Sequence, residues 1–219
     1  MDLLEGIMTL RAIRRFTDEP VTDDEVLTCL RAARQAPSGG NIQPWQFLVI
    51  RDPDLRERVG ELYRRAYERY EPRMLAATPP FRDEAEAERH RRVLESSRHL
   101  ARNIGRAPVL VAFLMPNISM TLEDDQGPLD VGTPYASVYP AVQNFMLAAR
   151  ALGIGTTLTT VIRVYQHEFR ELLNIPPRFE LAALVPMGRP RGRFGVAPRK
   201  PLGPITHWDR FGNRRQDID

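Results

Sequence analysis

The stretch APSGGNIQPW, Ala36 to Trp45, lies between an apolar helical pattern and a hydrophobic run, Gln46 to Ile50. Pro37 stops the helix because its ring clashes with the preceding turn, and Gly39 and Gly40 open backbone angles closed to other residues. Ser38, Asn41 and Gln43 add hydrogen-bonding side chains, and Pro44 fixes the chain ahead of Trp45. By composition the segment reads first as an ordinary helix-to-strand turn and only second as a loop whose backbone lets a flat polar ligand approach. Its neighbours in the chain decide between the two.

Upstream, Thr22 to Val26 carries the signals of a helix start: Thr22 as N-cap, Glu25 at the third position, acids in the first turn, and Val21 placed to staple against Val26. A helix to Ala36 follows, burying Leu27, Leu30 and Ala33. Further upstream, Leu3, Leu4, Ile7 and Met8 predict a short amphipathic helix. It leads into LRAIRRF, where Arg11 and Arg14 converge on one anion if the turn stays helical. Downstream, a strand spans Trp45 to Arg51, and Asp52 and Pro53 start another helix. Its stripe is Leu55, Val59, Leu62 and Ala66. Tyr63, Tyr67 and Tyr70 recur at the same spacing, either lining a pocket for an aromatic ligand or packing a surface helix. Glu71 to Arg82, with Pro72, Pro79 and Pro80, reads as an irregular flap.

Beyond it the pattern predicts a charged helix from Asp83 to Ile104 and a strand from Val109 to Met115 covered on both faces. An acidic connection, Asn117 to Gly132, leads to an apolar helix, Ala136 to Leu152, kinked at Pro140 and either central or in a subunit interface. LGIGTTLTTVI, Leu152 to Ile162, predicts a threonine-rich strand. A short helix at Gln166 to Leu173, a strand at Phe179 to Met187 and a loop from Gly188 to Lys200 complete the order. The tail, Pro201 to Asp219, carries Trp208 and Phe211 as anchors for another subunit.

The chain of 219 residues is 42% hydrophobic, enough for one core, and reads as a single domain over 1–219. Its 31 Lys and Arg stand against 28 Asp and Glu, and a net charge of +3 argues against nucleic acid as a partner. One cysteine, Cys29, excludes an internal disulfide and a multi-cysteine metal site. The histidines at 90, 99, 167 and 207 are scattered, so no metal site is expected. GxSxG, HExxH and a phosphate-cradling glycine loop with a Lys are all missing. Asp2 and Glu5 occupy the place where a secretory signal would carry positive charge, and no apolar run approaches a bilayer span, which predicts a cytoplasmic protein with no membrane partner. What remains are binding groups, and these suit a cofactor that brings its own chemistry.

Four motifs, LRAIRRF, APSGGNIQPW, LGIGTTLTT and RKPL, fall in the order and separation by which the chain resembles the FMN-dependent nitroreductase family over nearly its whole length. The resemblance implies an α+β, nitroreductase-like fold: a central, mostly antiparallel or mixed sheet of four to five strands flanked by helices. It implies an obligate-type homodimer with FMN at the subunit interface and residues 201–219 packing on the partner. Arg11, Arg14 and Arg199 would clamp the FMN phosphate. Pro37, Ser38, Gly39, Asn41 and Gln43 would lie along the isoalloxazine and ribityl chain, and Thr159 and Thr160 near the N5 edge. Ala12 stands where the family commonly has Ser, so one hydroxyl contact to the phosphate is lost, about 0.5–1.5 kcal/mol for a neutral hydrogen bond. The implied activity passes hydride from NADH or NADPH through flavin N5 to an electron-poor acceptor such as a nitroaromatic or a quinone.

The same family includes reductive dehalogenases and a flavin-degrading enzyme. For a dehalogenase, Glu68, Tyr63 and Tyr67 would imitate a lid that grips a zwitterionic amino acid. A non-catalytic FMN-binding protein is the alternative of another class.

Overall fold

The computed structural model describes every residue except Ser119, Gln216, Asp217 and Asp219. The chain runs α1 (Leu3–Thr9), α2 (Asp23–Ala33), β1 (Gln46–Ile50), α3 (Pro53–Ala76), α4 (Glu84–Asn103), β2 (Val109–Pro116), β3 (Thr121–Asp124), β4 (Gly127–Asp130), α5 (Tyr135–Ala151), β5 (Gly155–Thr156), α6 (Gln166–Leu172) and β6 (Phe179–Gly188). The main sheet has the order β1-β2-β6-β5, with every pairing antiparallel, and β3 and β4 form a separate hairpin.

The apolar run of β2 is buried on both faces because each face carries its own helical layer. Val109, Val111, Phe113 and Met115 join α2 and α5, whereas Leu110, Ala112 and Leu114 join α3, α4 and α6. The two-residue period of a strand produces this division. Opposite, β6 bulges where the register shifts between Phe113 and Leu114, which leaves both Ala182 and Ala183 on the α2/α5 side. Phe113 joins the layers edge-on, 5.3 Å from Phe47 and 5.3 Å from Phe145.

Helix α2 begins as its sequence predicts. The Thr22 hydroxyl accepts from the Glu25 N–H, and the Glu25 carboxylate accepts from the Thr22 N–H at 2.9 Å. Arg189, just beyond β6, adds a hydrogen bond to Glu25 at 2.7 Å. Burial opposes ionisation of Glu25, yet the hydrogen bonds from Thr22 and Arg189 hold its carboxyl below the usual range. That stabilisation is present above the ordinary carboxylate pKa and is lost as the pH falls through the lowered value. Thr22→Ala should destabilise the protein by about 1 kcal/mol in urea unfolding. A loss indistinguishable from zero would show that the cap is not needed to hold α2. Cys29 faces the core from the same helix, and burial pushes its thiol up to about 12. This fits a packing residue rather than a nucleophile.

Several expectations need correction. Helix α3 continues through Pro72 to Ala76, so the irregular flap expected at Glu71 to Arg82 shrinks to the connection before α4. The acidic connection Asn117 to Gly132 contains the β3–β4 hairpin. Helix α5 is one element with Pro140 inside it, and its Val138, Ala141, Val142, Phe145 and Ala149 are central core. The threonine-rich strand is only two residues long: β5 ends at Thr156, Thr159 makes a single bridge to Leu184, and a 3-10 turn spans Val161–Tyr165. Helix α1 docks on α5 through a hydrogen bond from Arg150 to Thr9 at 3.1 Å, but its apolar residues face outward. Leu3 is 70% exposed, Leu4 72% and Met8 60%.

Candidate functional site

Convergence of Arg11 and Arg14 through a helical turn requires the helix to continue past them, but α1 stops at Thr9 and Leu10 turns the chain extended. The Ile13 N–H then donates to the Thr156 carbonyl at 2.8 Å, which ties LRAIRRF to the threonine segment. Gly155 permits this approach, since a Cβ there would lie 2.7 Å from Ile13 Cγ2. Ile13 is buried by the contact, and Arg14 is directed to the α3 side of the sheet.

There Arg14 lines a cavity of about 270 Å³ with Tyr63, Tyr67, Thr157 and Thr159, closed by Leu94 and Leu100 from α4. The tyrosines of α3 therefore line a pocket, and Tyr63 and Tyr67 are buried. The hydroxyls of Tyr63 and Thr159 lie 2.9 Å apart. Burial lowers the Arg14 pKa; the nearby tyrosines oppose that shift and the charge of Arg11 adds to it. Among the described residues, neither Arg14 nor Arg11 has a carboxylate partner, so an anion entering here would meet uncompensated positive charge. On another side of Arg14, a basic cavity of about 250 Å³ is lined by Arg15, His99, Arg106 and Arg191. Burial and the charges of Arg15, Arg102 and Arg191 hold His99 below its ordinary pKa.

The loop from Ala36 to Trp45 is built differently and sits elsewhere. Gly40, Asn41 and Gln43 have φ of 56°, 56° and 47°, a left-handed backbone that Gln adopts only under strain. It is held by the Gln43 N–H donating to Ser38 Oγ at 3.1 Å and by the Gln43 side chain donating to Asn41 at 3.2 Å. The Gly39 N–H donates to Ser137 Oγ on α5. Pro44 and Trp45 are buried beneath it, while Pro37, Gly39, Asn41 and Gln43 are exposed. None of these residues lines the Arg14 cavity.

The single chain thus brings Arg14 and Thr159 into one cavity, with the charge of Arg11 felt at Arg14; Ala12, the loop residues and Arg199 do not line it. Arg199 is exposed and donates to the Pro198 carbonyl. Thr160 is exposed beside buried Thr159. Glu68 does not line the cavity with the tyrosines and lies 4.0 Å from Arg64. Sequence reasoning did not assign Thr157, which lines the cavity, or Thr156, whose buried hydroxyl has no partner among the described residues. The signal available was the TTLTT run itself.

Among the described residues no group of acids, His or Cys could hold a metal, and no helix is long and apolar enough to cross a membrane. The model of the Nitroreductase family matches residues 7–189. The chain is 28% identical over 212 residues to Protein DrgA of Synechocystis sp., covering 94% of this chain and 95% of that protein. It is 25% identical over 214 residues to the FMN reductase [NAD(P)H] of Bacillus subtilis, covering 97% and 76%. It shares its fold, at a TM-score of 0.70 and 20% identity, with the FMN and NADPH-dependent nitroreductase NfnB of Sphigopyxis sp. strain HMH, over 96% of this chain and 100% of that one.

Proposed function

Since the chain belongs to the nitroreductase family, we propose that it is an FMN-dependent oxidoreductase that takes hydride from NADH or NADPH and passes it to an electron-poor aromatic acceptor. The observation that carries this reading is the Arg14 cavity. It combines a half-buried guanidinium lacking a carboxylate with aromatic walls and buried threonine hydroxyls. That donor set, the Arg14 guanidinium with the Thr157 and Thr159 hydroxyls and the Tyr63 and Tyr67 phenols, fits an anionic, flat, polar cofactor. The chemistry FMN supplies when bound is reversible hydride storage at N5.

The residues of this chain bind and orient. Arg11 and Arg14 would hold the phosphate end through charge-assisted hydrogen bonds; Arg199, exposed and apart from them in the single chain, would join them only if its segment were brought across. Thr159 and Thr160 would serve the N5 edge. Tyr63 and Tyr67 exclude water and offer an acceptor an aromatic wall.

The working unit is a homodimer. In one chain the 36–45 loop does not reach the Arg14 cavity, and α1 leaves its leucines exposed. A second copy covers that apolar surface and brings its Ser38, Gly39, Asn41 and Gln43 to the first copy's arginines. The tail, which includes Phe211 at 91% exposure, lies on the partner. Residues 216, 217 and 219 of that tail are outside the described residues.

Purified protein should be yellow, dimeric by light scattering, and bleached anaerobically by one of the two nicotinamides, with colour restored by a nitroaromatic or a quinone. Protein that neither contains flavin nor binds added FMN sinks the reading. A yellow protein that neither nicotinamide bleaches would instead be a non-catalytic flavin holder.

A further inference from the structure

A buried hydroxyl pair joins α3 to the threonine segment. Thr159 Oγ1 lies 2.9 Å from Tyr63 Oη and accepts from the Val161 N–H at 3.4 Å. Both side chains are buried, Tyr63 at 2% exposure and Thr159 at 8%. A threonine hydroxyl has two acceptor lone pairs and one proton. Either oxygen could donate across this contact; the phenol is the far stronger acid of the two and hence the better donor. With the Val161 N–H and the Tyr63 O–H donating to it, Thr159 has both lone pairs engaged. Its one remaining capability is to donate, and it lines the same cavity as Arg14.

We propose that Tyr63 is a positioning residue that makes Thr159 an obligate hydrogen-bond donor toward whatever fills the cavity. Tyr63 itself need not touch the ligand. A threonine free to rotate would present a lone pair as readily as a proton to an electron-rich atom. With Tyr63 in place it presents only the proton. At the N5 edge a fixed donor would favour the oxidised cofactor, whose N5 accepts a hydrogen bond, over the reduced one, whose N5 carries hydrogen. This inference rests on the reading of the cavity as an FMN site.

The test uses purified FMN-loaded protein, comparing wild type with Tyr63→Phe, Thr159→Val and the double variant. Three quantities are read: the midpoint potential of bound FMN by dye-equilibrated reduction, the FMN dissociation constant by fluorescence titration, and the midpoint of thermal unfolding. Tyr63→Phe keeps the ring and removes one hydroxyl. It should raise the potential in the same direction as Thr159→Val and weaken FMN binding by about fivefold, the share of one neutral hydrogen bond. The double variant should be no worse in potential than Thr159→Val alone, because Tyr63 acts only through that hydroxyl. Thr159→Ser, which keeps the hydroxyl, should restore most of the wild-type potential. An unchanged potential in Tyr63→Phe, with only the unfolding midpoint reduced, overturns the inference and makes the pair purely structural. Additive shifts in the double variant also overturn it. If wild-type protein binds no FMN, the cofactor reading fails and this inference falls with it; normal FMN binding with unshifted variants rejects the inference alone.

Discussion

Arg14→Ala is expected to weaken FMN binding by about tenfold to a hundredfold, the range for losing hydrogen bonds to a charged group. The reason is local. Arg14 is half-buried, has no carboxylate partner among the described residues, and has its pKa lowered first by burial and further by Arg11. Removing it from the empty protein relieves that burial, so thermal stability should hold or rise slightly while affinity collapses. Fluorescence titration with FMN beside a melting curve separates the two effects. Arg14→Lys should fall between, since a point charge replaces the planar fork. An unchanged dissociation constant for Arg14→Ala would remove this residue from the phosphate site and leave Arg11 and Arg199 as the candidates.

Phe113→Ala should cost about 3–5 kcal/mol in urea unfolding, the range for emptying a large aromatic site in a packed core. Phe113 is fully buried on the middle strand and meets Phe47 and Phe145 edge-on, so no solvent-facing group can fill the space. Its neighbours on β6 bulge at that register, which fixes the backbone around the cavity and limits collapse. A cost under about 2 kcal/mol would mean that the sheet and α5 relax into the gap, below the usual span for such a truncation. The arginine cavity lies on the opposite face of the sheet, so FMN affinity of the folded fraction should be unchanged.

The resemblance carried by four short motifs pointed to the right family, and helix starts at Thr22, Asp52 and Asp83 were legible because capping is a local event. The buried strand at β2 was also legible, since a continuous apolar run has few other fates. The threonine segment was misread as a longer strand. Its residues favour β structure, but after Thr156 only Thr159 finds a partner on the sheet edge, and a strand needs a ladder. The outward-facing leucines of α1 went against the periodic pattern for a similar reason: amphipathicity says that a face wants cover, not which surface covers it.

The amino-acid order by itself determined which segments coil, which extend and which polar groups this chain has to spend on a ligand, because propensities, caps and turns act over a few residues. Only the tertiary structure decided that Arg14 shares a cavity with Tyr63 and Thr159 while the APSGGNIQPW loop stands apart. That outcome depends on Ile13 packing against Gly155 and on α3 lying over the sheet, contacts between residues distant in sequence. No local rule encodes such contacts, since their free energy comes from burying surfaces that meet only once the whole sheet is assembled.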